Sequence, residues 1–279
     1  MRTILLTTIA MVAFAANSVL ARLAFATAGA EPLGYTGTRL AAGAVTLALL
    51  LGARRQSLRP AGSWFGAAAL FGYAILFSIA YILLGAGTGA LILFASVQIG
   101  ILGWAIYKGD RPGIIEWLGF VIAFAGLVYL VSPGVVAPHP LGALLMLVAG
   151  LCWAAYTLIG RGSASPLADT AGNFIRTSPL AAVMIAVAAL THGVSPMAAL
   201  YAIASGALAS GLGYAIWYAA LPSLSRTRAA IVQLTVPAIA AAGGVLFIGE
   251  AWSLRLIIAT IAVVGGVALA LVTAGRRRA

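Results

Sequence analysis

Residues 62–107 read GSWFGAAALFGYAILFSIAYILLGAGTGALILFASVQIGILGWAIY, without one acidic or basic side chain. A helix this apolar all round has no face to offer water. At 1.5 Å of rise per residue, about 20 such residues cross the ~30 Å hydrocarbon core of a bilayer, so the stretch holds two crossings. Gly85, Gly87 and Gly89 mark the break between them. The rest of the chain has the same character. Of its 279 residues, 63% are hydrophobic and 8% charged, and the mean hydropathy is +1.11. The apolar runs are continuous and alanine-rich, without the alternation of a membrane β-barrel. The sequence predicts an all-α integral membrane protein, with loops too short to leave a soluble domain over.

Turn and stop chemistry divides the chain into ten predicted transmembrane helices: 3–27, 32–53, 62–84, 87–107, 113–132, 140–160, 168–191, 196–219, 227–248 and 253–274. Glu31-Pro32 opens the second, Gly109 through Gly113 separates the fourth from the fifth, and Ser195-Pro196 opens the eighth. The net charge of +11 is distributed unevenly. Arg2, Arg54, Arg55, Arg59, Lys108, Arg111, Arg161, Arg226, Arg228 and Arg276 to Arg278 fall on one side of the threaded spans. Glu31, Glu250, Arg255, His139, His192 and Arg22 fall on the other. This is the positive-inside pattern, and it predicts that both termini are cytoplasmic. It also explains the basic balance without a nucleic-acid partner; the expected surroundings are membrane lipid. The first span is too long for a cleaved leader, and Arg22 sits just before the only plausible cut. The lone Cys152 excludes an internal disulfide.

The chain also resembles itself. When Gly72 is laid on Gly211, Ala80 meets Ala219, Thr88 meets Thr227, Ser96-Val97 meets Thr235-Val236 and Gly126 meets Gly265. At the front of each half, Asn17, Arg22 and Arg39 parallel Tyr156, Arg161 and Arg176. The expected organisation is one membrane domain of two five-helix repeats, 1–135 and 136–279. Five is odd, so the second copy enters the bilayer inverted. Inverted-topology repeats around a midplane site are the architecture of secondary transporters, which work by alternating access.

Further residues carry a resemblance to a family. The second half has Pro237, then Gly249-Glu250 ending its fourth span, then Gly265-Gly266 in its fifth. Each half places a proline before an arginine-bearing second span, Pro32 with Arg39 and Pro166 with Arg176. With the two five-span halves, this resembles the drug/metabolite transporter superfamily. Within it the likeness is to EamA-type metabolite exporters, and in particular bacterial exporters of aromatic amino acids. The resemblance covers the whole chain. It implies export of amino acids or related metabolites across the bacterial inner membrane. The first half departs from the pattern: Gln98 stands opposite Pro237, and Asp110-Arg111 opposite Gly249-Glu250.

Polar and aromatic side chains deep in the spans are the candidate substrate-binding residues, because such groups are costly in lipid without a role. They are Asn17, Ser78 and Tyr81 one turn apart, Gln98, Trp153 with Tyr156, and Tyr214 with Trp217. Aromatic walls with a few amides and hydroxyls suit a zwitterion with an apolar side chain. Arg39 and Arg176 read as gating or structural groups, paired with Glu31 and Asp169 or bonded to carbonyls; a clamp on substrate carboxylate is the sharper alternative. Pro237 within helix 9 and Pro179 within helix 7 are expected to kink those helices. All five acidic residues lie near span ends and neither histidine is deep. The sequence therefore predicts gradient-driven uniport rather than carboxylate-based proton antiport. It has no phosphate-binding loop, no metal-ligand cluster, no implied cofactor and no catalytic grouping. An enzyme is not expected; the alternative reading is a multidrug or small cationic metabolite exporter of the same superfamily.

Overall fold

The computed structural model describes residues 2–55, 61–109, 113–131, 137–160, 163–193, 195–220, 223–224, 232–233 and 235–277. Among them there is no strand. Ten helices have bounds within the described residues: α1 (Arg2–Thr27), α2 (Pro32–Ala53), α3 (Trp64–Leu83), α4 (Ala86–Tyr107), α5 (Ile114–Val131), α6 (Pro140–Gly160), α7 (Pro166–Thr191), α8 (Pro196–Ala220), α9 (Val236–Ile248) and α10 (Leu254–Arg277). Seven of the described helices are long and apolar enough to cross a membrane; α5, α9 and α10 contribute shorter apolar stretches. Large apolar side chains point outward in quantity, Leu190, Ile114 and Phe65 among the most exposed. That surface is wrong for water and right for hydrocarbon.

Polar residues set the helix starts. Ser63 and Ser195 accept from the backbone N–H three residues on, at Gly66 and Ala198, satisfying donors that the first turn leaves open. Glu31 does the same for Leu33 and Gly34, and Pro32, Pro166 and Pro196 occupy first turns, where a missing N–H costs nothing. The ninth helix differs from expectation. Its regular part begins at Val236, after a turn in which Thr235 N–H donates to the Val232 carbonyl at 3.1 Å. Pro237 thus sits in the first turn of this regular part, where its missing N–H costs that helix no bond. Residues 227–231 and 234 of the expected span lie outside the described residues. Pro179, by contrast, is inside α7, which runs through it.

Helix α6 packs on α3 and α4, and α1 packs on α8 and α9. Helices α2 and α7 pack on each other, as do α5 and α10. Small residues permit the close approaches. A Cβ at Gly43 of α2 would stand 2.5 Å from the Phe174 ring of α7, and one at Gly142 of α6 2.9 Å from Leu83 Cβ. The main core cluster draws on all ten of these helices, most heavily on α1, α3 and α4, while α5 and α10 pack chiefly on each other.

Candidate functional site

Helix periodicity gathers the site. On α1, Phe14, Asn17 and Ser18 stand at i, i+3 and i+4, so they share one face. On α3, Tyr73 and Phe77 are one turn apart. With Leu93 and Phe94 of α4, Trp153 of α6, and Ala209 and Tyr214 of α8 they enclose a cavity of about 20 Å³. That is room for one or two water molecules, so the centre is closely packed.

The α8 wall has an unusual backbone. Ser205–Leu212, the stretch SGALASGL, winds as a π-helix, a rare geometry that is frequent at functional sites. Its wide turn presents Ser205, Ala209 and Ser210 inward. Ser205 donates to Asn17 Oδ1 at 2.5 Å, and Asn17 Nδ2 donates to the Tyr73 hydroxyl at 3.0 Å. Arg39 of α2 also donates to that hydroxyl, from Nη2 at 3.1 Å, and to Ser210 Oγ from Nε at 3.4 Å. Its guanidinium lies over the rings of Tyr73 (5.2 Å) and Phe77 (4.9 Å). Arg39 is 2% exposed. It stands one side chain away from the cavity, behind two of its walls.

The aromatic groups form one cluster. The Trp153 ring lies 4.9 Å from Tyr73, 5.2 Å from Tyr214 and 5.4 Å from Tyr156. Phe14 meets Tyr214 and Trp217 edge-on at 5.7 and 6.0 Å. Tilted and edge contacts of this kind add about 0.5–1.5 kcal/mol each beyond burial. Any polar substrate here would lie among ring faces.

Of the residues singled out from sequence, Asn17, Trp153 and Tyr214 line the cavity. Tyr156 and Trp217 belong to the same cluster one layer out. Three others are elsewhere. Ser78 accepts from Thr36 at 2.7 Å and donates to the Ala74 carbonyl at 3.0 Å, which ties α3 to α2. Tyr81 packs edge-on beneath Phe77 at 4.6 Å and donates to the Ala86 carbonyl at 3.4 Å. Gln98 shares a stripe of α4 with Ala95, Ile99 and Leu102 that turns toward α5 and α10, where it borders a separate apolar cavity of about 300 Å³. From α4 the central cavity takes Leu93 and Phe94; Gln98, one turn further along from Phe94, is not among its walls.

Sequence reasoning missed Phe14, Ser18, Tyr73, Phe77, Ser205 and Ser210. The period-four run Tyr73, Phe77, Tyr81 was a usable signal, as was the spacing of Phe14 before Asn17. Nothing local announced the π-helix beyond its serines and glycines.

Both ends of the bundle carry polar networks. At one end Gly249, with φ of +74°, turns the chain so that Glu250 faces inward. Its carboxylate pairs with Arg22 Nε at 3.0 Å and accepts from Ala86 N–H at the start of α4, at 2.8 and 3.1 Å. Arg22 also donates to the Tyr81 carbonyl at 2.9 Å. At the other end α7 grips the start of α3. Gly62 N–H donates to Asp169 Oδ1 at 2.8 Å, Ser63 N–H donates to Asn173 Oδ1 at 2.9 Å, and Arg176 donates to the Ala61 carbonyl. The expected pairing of Glu31 with Arg39 does not occur: the Glu31 oxygens serve their own helix start at 2.9 and 2.8 Å, and Arg39 points into the core.

A profile of the EamA-like transporter family matches residues 140–272. A Pseudomonas aeruginosa protein described as uncharacterized is 50% identical over 274 residues, 97% of this chain and 94% of that protein. The threonine/homoserine exporter RhtA of Salmonella typhimurium is 29% identical over 260 residues, 88% of this chain and 83% of that one. The uncharacterized inner membrane transporter YedA of Escherichia coli is 30% identical over 172 residues, 56% of this chain and 52% of that one. A crystal structure superposes with a TM-score of 0.69 at 22% identity, covering 98% of this chain and 99% of the other, a likeness of fold alone.

Proposed function

The chain belongs to the EamA-like transporter family, and we propose that it exports neutral amino acids, aromatic ones included, and related metabolites from the cytoplasm by alternating access. One observation carries this reading. A small cavity lies in the middle of the bundle, walled by Phe14, Tyr73, Phe77, Trp153 and Tyr214 around the Asn17 amide, with a separate polar network at each end. A pocket mostly aromatic with a few placed polar groups suits a small zwitterion. The RhtA relative is named for exporting threonine and homoserine, which supports amino acids as the class.

The packing supports two inverted repeats. If α1–α5 and α6–α10 are two copies related by a two-fold axis in the membrane plane, α6 on α3 and α4 has its counterpart in α1 on α8 and α9. Helices α2–α7 and α5–α10 are then self-paired. In this arrangement the Glu250 network lies on the periplasmic side and the Asp169 network on the cytoplasmic side, with both termini cytoplasmic. Opening one network while the other holds admits substrate from one compartment at a time. The cavity must widen as it does so. Its walls contain no carboxyl or imidazole group, so the substrate gradient supplies the drive. A cationic drug is disfavoured by the Arg39 charge beside the site.

Purified protein in liposomes, tested by counterflow with radiolabelled amino acids and cationic drugs, checks the reading. Exchange of amino acids that persists after the proton gradient is collapsed is the expected result. Movement of the drugs and of none of the amino acids overturns it.

A further inference from the structure

Arg39 is a permanent cation in the core of a membrane protein, and none of the acids among the described residues pairs with it. A guanidinium does not give up its proton in proteins, and a buried charge is strongly unfavourable unless paired. Among the described residues Glu31 is held at its own helix start, Glu116 accepts from Gly113 N–H, Asp169 accepts from Gly62 N–H, and Glu250 pairs with Arg22. Arg39 has two ring faces, one serine and the Tyr73 hydroxyl, and its fully buried Nη1 has no partner among the described residues.

The Tyr73 hydroxyl sharpens the point. It receives two donors, Asn17 Nδ2 at 3.0 Å and Arg39 Nη2 at 3.1 Å. The shorter contact sets the Asn17 orientation: 2.5 Å to Ser205 Oγ suits O–H···O and is too short for N–H···O, which leaves Nδ2 on the Tyr73 side at 3.0 Å. Both lone-pair directions of the phenol oxygen are then filled, so its own proton is available to a further acceptor. Tyr73 is a wall of the central cavity. A phenol that accepts from a guanidinium is also polarised into a better donor.

We propose that Tyr73, backed by Arg39, is the recognition point for an anionic group of the substrate, a carboxylate, which accepts the phenol proton and supplies the counter-charge that Arg39 lacks. This rests on the exporter reading above. It adds a selection rule: the site prefers molecules that carry a carboxylate over the same molecules with that group neutralised or removed.

Counterflow of radiolabelled L-phenylalanine and L-threonine in liposomes tests it, with unlabelled L-phenylalanine, L-phenylalaninamide and 2-phenylethylamine as competitors. The acid is expected to compete at least about tenfold better than the amide or the amine. Tyr73→Phe, which removes only the hydroxyl, should reduce that ratio toward one. Arg39→Lys should keep part of it, because a cation remains. Each variant is first checked for a single symmetric peak in gel filtration, and Tyr73→Phe keeps the test alive if Arg39→Lys does not fold. Equal competition by acid and amide, or an acid-to-amide ratio unchanged in Tyr73→Phe, overturns the assignment while leaving the exporter reading intact. If neither labelled amino acid moves, the exporter reading fails and this assignment fails with it.

Discussion

The two ends of the bundle are closed by different kinds of chemistry. At the Asp169 end, three side chains of α7 each hold a different backbone group of residues 61–63. At the Glu250 end, one carboxylate serves both the Arg22 guanidinium and the first N–H of α4, and joins segments 228 residues apart in sequence. The first network is a set of parallel bonds, which can weaken by steps. The second is a hub, and removing its centre undoes the Arg22 pair and both bonds to the start of α4 at once, leaving only Arg22 on the Tyr81 carbonyl. In an exporter of the proposed kind, the hub makes the outer gate abrupt and the parallel bonds make the inner gate graded.

The largest expected effect comes from striking the hub. Glu250→Ala leaves the partly buried Arg22 without its counter-charge and the start of α4 without an acceptor, at a cost of about 2–4 kcal/mol. Thermal unfolding in detergent measures it. With Cys152→Ala as background, a Ser18→Cys probe in the central cavity should become reactive to a membrane-impermeant thiol reagent applied from the Glu250 side. A destabilisation below 1 kcal/mol, with no change in labelling, would remove the hub from the account of gating.

A smaller effect is expected from the other end. Gly62 has φ of +80°, and a Cβ there would press on Asn173 Oδ1 and lie 2.6 Å from the Asp169 carbonyl. Gly62→Ala adds a left-handed backbone cost to that crowding, about 1–2 kcal/mol together. It should expose the same Ser18→Cys probe from the opposite side of the membrane. Labelling from the same side in both variants would erase the distinction between the ends.

The fold was far more legible than the site. Span positions follow from runs of apolar residues and from proline and glycine stops, and those signals are local. The expected 32–53 and 140–160 coincide with α2 and α6. The site depends on which face of each helix turns inward, and a helix apolar on all sides does not say. Arg39 shows the difficulty. From sequence it read as a gating or structural group about two turns inside its helix, with Glu31 as one possible partner; the structure places it in the core, away from Glu31 at the helix start. Its hydrogen-bond partners, Ser210 of α8 and Tyr73 of α3, are far away in sequence. The Glu250 hub was hidden in the same way, because Gly249-Glu250 was readable as a motif while its partner on α1 was not.

Gln98 gives the smallest prediction, and it bears on where the central site ends. The residue is 7% exposed and in sequence looked like a polar group placed for substrate. Its side chain borders the cavity between α4, α5 and α10, whose walls are otherwise Ala95, Ile99, Leu102, Trp117, Phe120, Val121, Ala123, Phe124 and Val267. Neither end network includes it. Leucine has nearly the same reach and no polar group to desolvate, so Gln98→Leu should fold as well as the parent and transport within about twofold of it, well under the tenfold that 1.4 kcal/mol would produce. Asn17→Leu, the same exchange for an amide on the central wall, would strand the donors and acceptors of Ser205 and Tyr73 and should reduce transport by at least that tenfold. Equal losses in the two variants would mean that the substrate path runs along α4 as far as the α5–α10 pair, and that the site is wider than the ring of aromatics around Asn17.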